Sequence, residues 1–209
     1  MNILGIDEAG RGPVLGPLLV AGVVIPEDKN KILERMGVKD SKRLTPNRRK
    51  VLARKLKNMF EYETVSITAS DIDTLRKKGF NLNEIERMAM VKIIEKLNFD
   101  KVILDSVDIK PERFVENIKE VVGDLDIIAE HKADDNYIQV AAASIIAKYN
   151  RDEAIEKINK DYRKLGGIGS GYPSDPTTKK FLTNFTYDEM PDFVRKSWKT
   201  IQNFKESSK

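Results

Sequence analysis

The stretch ILGIDEAGRGPVLGPLLVAGVVI, residues 3–25, decides the fold. Its two ends, 3–7 and 14–25, are apolar and rich in β-branched residues, and a Gly/Pro turn separates them. That pattern predicts two strands folded back on each other as a hairpin. The first strand stops on an acidic pair, Asp7-Glu8. Residues 101–104 form a second short apolar run, typical of a buried parallel strand, and this run also stops on an acid, Asp105. Working outward, residues 31–36 and 46–60 read as helices, the second with Pro46 in its first turn. Residues 62–68 alternate and read as a strand. In 83–97, Ile85, Met88, Ala89, Ile93 and Leu97 fall at helical spacing. Beyond Asp105 the pattern predicts a helix at 111–122, a strand at 126–129 and a long, alanine-rich helix at 137–162. A helical tail starts at Phe181. A β-meander followed by alternating helices and strands implies an α/β fold, a mixed sheet covered by helices.

The 209 residues suit one large domain, or a core domain with a small appendage. There is no cysteine, which excludes disulfides and thiolate metal sites. Any metal must be held by oxygen ligands or by the single histidine, His131. No apolar run approaches the roughly 20 residues needed to span a bilayer, and the acidic N-terminal segment does not fit a secretory signal. The expectation is a cytoplasmic protein without membrane contact. The net charge of +4 is unevenly spread: residues 29–57 hold twelve Lys or Arg against two acids, Glu34 and Asp40. A basic segment in a chain with an acidic site suggests a polyanion gripped beside bound cations. A basic stretch taken alone is more often a solvated surface.

Asp7, Glu8, Asp105 and Asp134 are the candidate catalytic and metal-binding residues. Asp7 and Asp105 sit where apolar strands end, the edge at which open α/β sheets place their ligands. Asp134 follows the strand at 126–129. Four acids delivered to one sheet end cannot all ionise unless cations join them, and hard divalent ions favour carboxylate oxygen. Each acid has a plainer alternative. Asp105 could begin a turn, and Asp134 or Asp135 could cap the following helix. Asp7 and Glu8 are adjacent, so in a regular strand they face opposite sides and meet in one site only if the strand distorts. Lys39, Ser41, Lys42 and Arg43 in the basic stretch are candidates for holding phosphates. Ser144 and Lys148 share a face one turn apart; Lys148 suits a phosphate, and Ser144 suits substrate contact or helix packing equally well. Gly10-Arg11-Gly12 can bring main-chain groups close to a ligand, although a turn would need the same glycines. Tyr172, between Gly171 and Pro173, suits either a stacking platform or a loop anchor.

The motifs DEAGRGP at 7–13, GVKDSKRL at 37–44, LDS at 104–106, EHKADD at 130–135, AASIIAKYNRD at 142–152 and GSGYPSDP at 169–176 resemble ribonuclease HII in order and spacing. SWKT at 197–200 resembles the archaeal branch of that family. The resemblance implies a ribonuclease H-like fold, with a five-stranded mixed sheet flanked by helices and a C-terminal helical extension. It divides the chain into a catalytic core at 1–165 and a substrate-binding loop with helical extension at 166–209. It implies an endonuclease using Mg²⁺ or Mn²⁺ on Asp7, Glu8, Asp105 and Asp134. The expected substrates are RNA–DNA hybrids and duplex DNA with embedded ribonucleotides, cut 5′ of the ribonucleotide by a two-metal mechanism to leave 3′-hydroxyl and 5′-phosphate ends. The biological role it implies is removal of misincorporated ribonucleotides and RNA primers, by a monomer. Gly10, Arg11 and Gly12 would contact the ribose 2′-hydroxyl, and Tyr172 would help recognise the junction. Asp135 departs from the family, which usually has a small residue there. The related ribonuclease HIII carries an extra N-terminal domain, for which a motif starting at residue 7 leaves no room. Some archaeal relatives end in a sliding-clamp peptide with a glutamine and spaced aromatics; Gln202, Asn203, Phe204 and Lys205 fit that pattern poorly, so no clear clamp motif is expected. The competing readings are another acid-cluster nuclease, such as a junction resolvase or integrase core, and a non-enzymatic nucleic-acid-binding module.

Overall fold

The computed structural model describes residues 1–106, 108 and 110–207. Strands β1 (Asn2–Ala9) and β2 (Leu18–Pro26) are antiparallel, from Asn2 opposite Pro26 to Ala9 opposite Leu19. Strand β3 is Tyr62–Ile67. Strand β4 (Lys101–Asp105) is parallel to β1, and β5 (Ile127–Glu130) is parallel to β4. Together they form a five-stranded sheet in the order β3-β2-β1-β4-β5. The mixed, helix-flanked sheet expected of a ribonuclease H-like fold is present.

The hairpin is shorter than its apolar composition suggests. β2 starts at Leu18, not Val14. Gly16 has φ +84°, and Pro17 has no N–H for a ladder, so the run cannot pair through this point.

The chain folds into two compact units. The first comprises residues 1–9, 19–65 and 83–149, and contains α1 (Asn30–Met36), α2 (Pro46–Met59) and α4 (Leu82–Ile94, from Asn83). It also holds α5 (Pro111–Val122), the single turn α6 (Ala133–Asn136) and the first half of α7 (Ile138–Asp161). Two glycines show how helices cover both sheet faces. A Cβ on Gly5 would collide with the main chain of Gln139 in α7, and one on Gly22 would collide with Ile93 in α4. Gly22 pairs with Ile6, so the two glycines lie on opposite faces. The approach of α7 is possible because Ala141, Ala142, Ala143 and Ala147 present little bulk; all are fully buried.

The second unit comprises residues 10–18, 66–82 and 150–209. The boundary expected at residue 165 falls inside it. Its core joins Val14, Leu15, Ile155, Ile168, Phe181, Leu182, Met190, Val194 and Ile201. Tyr162 meets Phe181 and Phe193 edge-on, each with ring centroids 5.2 Å apart. The helical tail expected from Phe181 is interrupted. α8 (Pro176–Leu182) ends where the Asn184 side chain binds the carbonyls of Lys180 and Phe181, and the helix resumes only at α9 (Lys199–Ser207). Pro191 within the gap has no N–H to continue a helix. The unit also has a helix absent from the sequence reading, α3 (Ala69–Lys77), closed by a capping box in which Thr68 and Asp71 satisfy each other's main-chain N–H. Among the described residues, no helix is long and apolar enough to cross a membrane.

Candidate functional site

In the first unit, Asp7 and Asp105 end up on neighbouring strands. The parallel register pairs Ile6 with Leu104, so the two acids are the next residues on adjacent chains. Asp7 is 6% exposed and lies on the Gly5 face, towards α7. Burial pushes its carboxyl from 3.8 up to about 8, and the charges of Asp105 and Glu8 act in the same direction. Two contacts oppose the rise. The Ser144 hydroxyl favours the ionised form, although its approach falls outside ordinary hydrogen-bond geometry, and the Glu8 N–H donates to Asp7 Oδ1 at 2.7 Å.

Asp105 is also raised, first by burial and then by the charge of Asp134. Its Oδ1 accepts the Ala133 N–H at 2.7 Å, which fixes the start of α6, the turn that carries Asp134. The chain enters α6 through Lys132 at φ +59°, a left-handed conformation. The His131 ring nitrogen Nδ1 lies 2.9 Å from the Ser106 carbonyl, holding the β5–α6 loop against the end of β4. Each acid in this series makes ionisation of the next harder.

An ammonium group lies at one end of the series. Lys42 Nζ is 3.2 Å from Asp134 Oδ1 and 2.5 Å from Asp135 Oδ1, and these contacts raise the lysine pKa, Asp135 most. Asp134 is buried and Asp135 half exposed. The one-turn helix α6 has Lys132 at its N-cap position with no side-chain cap bond. A cleft of about 310 Å³ is lined in part by Lys39, Asp134, Asp135, Tyr137 and Gln139. Of the remaining candidates, Lys39 and Arg43 are exposed, whereas Ser41 is buried within its 3₁₀ turn. Ser144 is fully buried beneath Asp7, and Lys148 is half-buried.

Glu8 is placed differently from the condition set by the sequence. Pairing with β2 continues unbroken through Ala9, so no bulge turns Glu8 to the side of Asp7. Its influence on Asp7 is through charge. Among the described residues, no three Asp, Glu or His side chains converge tightly enough, as they stand, to surround one ion. The donor set still suits a hard divalent cation: it is all carboxylate oxygen, and its innermost member ionises only with difficulty unless positive charge joins it.

In the second unit, the Gly10–Gly12 loop and the Tyr172 loop are built together. Gly10 has φ +92°, and a Cβ there would lie 2.7 Å from Arg151 Cδ and 2.8 Å from the Pro17 carbonyl oxygen, so only glycine fits. A Cβ on Gly12 would lie 3.5 Å from the Tyr172 ring. Tyr172 is 41% exposed, with the Arg151 guanidinium 5.3 Å from its centroid. Arg151 also donates to the Ser170 carbonyl at 2.9 Å. The N–H groups of Val14 and Leu15 both donate to the Gly171 carbonyl.

Sequence reasoning missed the residue that holds the glycine loop. Arg195 is completely buried and donates to the carbonyls of Gly10 at 2.6 Å, Arg11 at 3.1 Å and Gly16 at 3.0 Å. Trp198 Nε1 donates to the Gly12 carbonyl at 3.4 Å. An arginine next to a lysine in a basic tail carries no local signal for such a role; the SWKT motif two residues later was the available clue.

The model of the family Ribonuclease HII matches residues 4–201. A protein named Ribonuclease HII from Methanobrevibacter smithii is 67% identical over 207 residues, covering 99% of this chain and all of that one. The crystal structure of ribonuclease H2 from Pyrococcus horikoshii OT3 is similar, with TM-score 0.88 and 41% identity, covering 99% of this chain and 98% of that one. A ribonuclease HII from Archaeoglobus fulgidus, solved in complex with PCNA, matches with TM-score 0.85 and 40% identity over 95% of this chain and 96% of that one.

Proposed function

Because the chain belongs to the ribonuclease HII family, we propose that it hydrolyses the RNA strand of RNA–DNA hybrids and cuts 5′ of single ribonucleotides in duplex DNA. The observation that carries this reading is the pair of neighbouring carboxylates at the ends of β1 and β4, both held above the usual range first by burial and then by nearby acidic charge, with Asp7 pushed up to about 8. Such a cluster is poor as bare surface and well suited to holding cations against a phosphate.

Asp7, Glu8, Asp105 and Asp134 would hold Mg²⁺ or Mn²⁺. The ions would supply positive charge to the scissile phosphodiester and acidify an attacking water, giving 3′-hydroxyl and 5′-phosphate ends. The protein's own groups do the positioning. The Ala133 N–H fixes the Asp105 carboxylate, and the Glu8 N–H orients that of Asp7. Lys42 balances Asp134 and Asp135 until substrate and cations arrive, and then becomes available to a strand phosphate. The glycine loop, braced by Arg195, and the exposed Tyr172 ring would read the ribose 2′-hydroxyl, the group that distinguishes RNA from DNA. The work in the cell would be removal of misincorporated ribonucleotides and RNA primers.

The clamp partner in the Archaeoglobus fulgidus complex belongs to that protein. In this chain Gln202 donates to the Lys196 carbonyl and to Tyr187 Oη, and Phe204 packs on the core of its own unit.

The test is a cleavage assay on matched duplexes of plain DNA, RNA–DNA hybrid and DNA with one ribonucleotide, with and without EDTA. Cleavage of the last two only, abolished by EDTA, is expected. Cutting of plain DNA would favour a general acid-cluster nuclease, and no cutting would favour a binding module.

A further inference from the structure

The SWKT segment is the motif that the proposed chemistry leaves unused. In the second unit it borders an open cleft of about 420 Å³, lined by Arg11, Arg76, Leu82, Ser197, Trp198 and Lys199 among others. Among the described residues, no acid lines it. Asp73 on α3 engages this segment from behind, accepting the main-chain N–H groups of Lys196 at 2.7 Å and Ser197 at 2.9 Å. Those bonds set the turn between Arg195 and α9, and both carboxylate oxygens are used in them.

The side chains around the Trp198 ring are cationic. Arg76 lies 5.4 Å and Arg195 4.8 Å from its centroid. Arg195 is buried and directed at carbonyls, whereas Arg76 is exposed in the last turn of α3. Lys199 is exposed at the start of α9. Among the described residues, neither the Arg76 nor the Lys199 side chain has an ion pair, and the Ser197 hydroxyl is buried without a hydrogen-bond partner. A buried hydroxyl left unbonded is costly, and cations gathered around one ring repel each other until an anion joins them. The indole holds the guanidinium of Arg76 in place, which reduces what would be lost in ordering it around a ligand.

We propose that this cleft binds a phosphodiester group of a nucleic-acid strand through the Arg76 guanidinium, the Lys199 ammonium and the Ser197 hydroxyl. The assignment rests on the reading of the protein as one that acts on nucleic acid, and it names a contact that does not involve the carboxylates. Such a contact anchors a strand by its backbone and carries no sequence preference.

The experiment measures affinity for a plain DNA duplex in EDTA, by fluorescence anisotropy, over a salt series from about 50 to 200 mM. Each neutralised phosphate adds about 0.9 to the slope of log affinity against log salt, so one contact accounts for about a 3.5-fold loss over a fourfold rise in salt. The double variant Arg76→Gln/Lys199→Gln should bind more weakly, with a slope shallower by about one. Lys199→Gln alone, which disturbs no ring contact, should move affinity and slope in the same direction, and this keeps the test valid if the double variant folds poorly. A wild-type slope in Lys199→Gln and in a folded double variant overturns the proposal. Inorganic phosphate at matched ionic strength should leave the difference between wild type and variant in place. If millimolar phosphate abolishes it, the cleft is a site for the free anion, and assignment to a strand is overturned. Hybrid cleavage by the wild type is measured in parallel. Cleavage with an unchanged slope rejects the cleft alone, and no cleavage with a changed slope rejects the nuclease reading alone.

Discussion

Replacing Asp7 by Asn should stabilise the cation-free protein, and the gain should grow with pH. Asp7 has a folded pKa of about 8 against 3.8 for the free side chain, so folding is linked to proton uptake at this position. A raised folded value means that its contribution to stability is fully present below the unfolded value and is lost as pH rises through the folded one. The window is therefore about pH 4 to 8. The difference of about four units corresponds to about 6 kcal/mol at most, at about 1.4 kcal/mol per unit. Relaxation and water entry reduce this, and about 2–4 kcal/mol is expected in practice, a large share of a typical stability of 5–15 kcal/mol. An amide at position 7 is neutral throughout. Its oxygen can still accept the Glu8 N–H that now meets Oδ1 at 2.7 Å. Thermal unfolding of wild type and Asp7→Asn in EDTA, at pH 4.5, 6.5 and 8.5, measures the effect. The two should nearly coincide at pH 4.5, and the variant should melt roughly 5–15 °C higher at pH 8.5. Adding Mg²⁺ or Mn²⁺ at pH 8.5 should narrow the gap, because cations that bind only the folded wild type stabilise it by mass action. Parallel pH curves, or a variant less stable at pH 8.5, would refute the reasoning and leave Asp7 an ordinary, well-solvated acid.

Asp134→Asn should cost far more activity than Asp135→Asn, because Asp134 is buried and acts on Asp105 while Asp135 is half exposed; a reversed order in a steady-state cleavage assay would move the fourth ligand by one residue. Tyr172→Ala should lose about ten- to hundredfold in activity, the equivalent of stacking worth roughly 1–3 kcal/mol. The loss should be greater on a duplex with one ribonucleotide than on a long hybrid, with little change in melting temperature since the ring is 41% exposed; equal losses with a clear drop in melting temperature would make it a packing residue. End-group analysis should find 3′-hydroxyl and 5′-phosphate termini, and a 2′,3′-cyclic phosphate would show the 2′-hydroxyl attacking in place of water.

The sheet and the positions of Asp7 and Asp105 were legible because each depends on a local pattern, an apolar run that stops on an acid. Register then did the rest: pairing Ile6 with Leu104 brings the two acids side by side without any further instruction from their own neighbours. Asp134 was less legible. Its place depends on the Ala133 N–H reaching Asp105 across 28 residues and on a left-handed Lys132, neither of which has a local signature. The helix α3 was overlooked although Thr68 and Asp71 have the spacing of a capping box, because apolar periodicity was weak there: only Ala69 and Ile72 of its nine residues are buried. Arg195 was the least legible. Its three carbonyl partners lie about 180 residues away in sequence, and apart from the SWKT motif that follows it nothing distinguishes a buried clasp from a solvated base.

The same electrostatic logic operates in each unit with opposite sign. In the first, burial and then neighbouring carboxylates make the innermost acid resist ionisation, and Lys42 stands at their edge. In the second, guanidinium groups are gathered around an indole, while the carboxylate of Asp73 is committed to main-chain N–H groups. Neither cluster is the arrangement that minimises the energy of the free protein, since one opposite charge placed in each would relieve it. Stability alone would have removed both; an Asn at position 7 or a Gln at position 76 leaves the hydrophobic cores untouched. On the proposed function, nucleic acid with its divalent counterions would supply the missing charges, cations for the acids and phosphates for the bases. Substrate and metal should therefore bind with positive coupling: added Mg²⁺ should tighten hybrid binding in a cleavage-inactive Asp134→Asn protein less than in one in which all four acids remain and cleavage is blocked in the substrate.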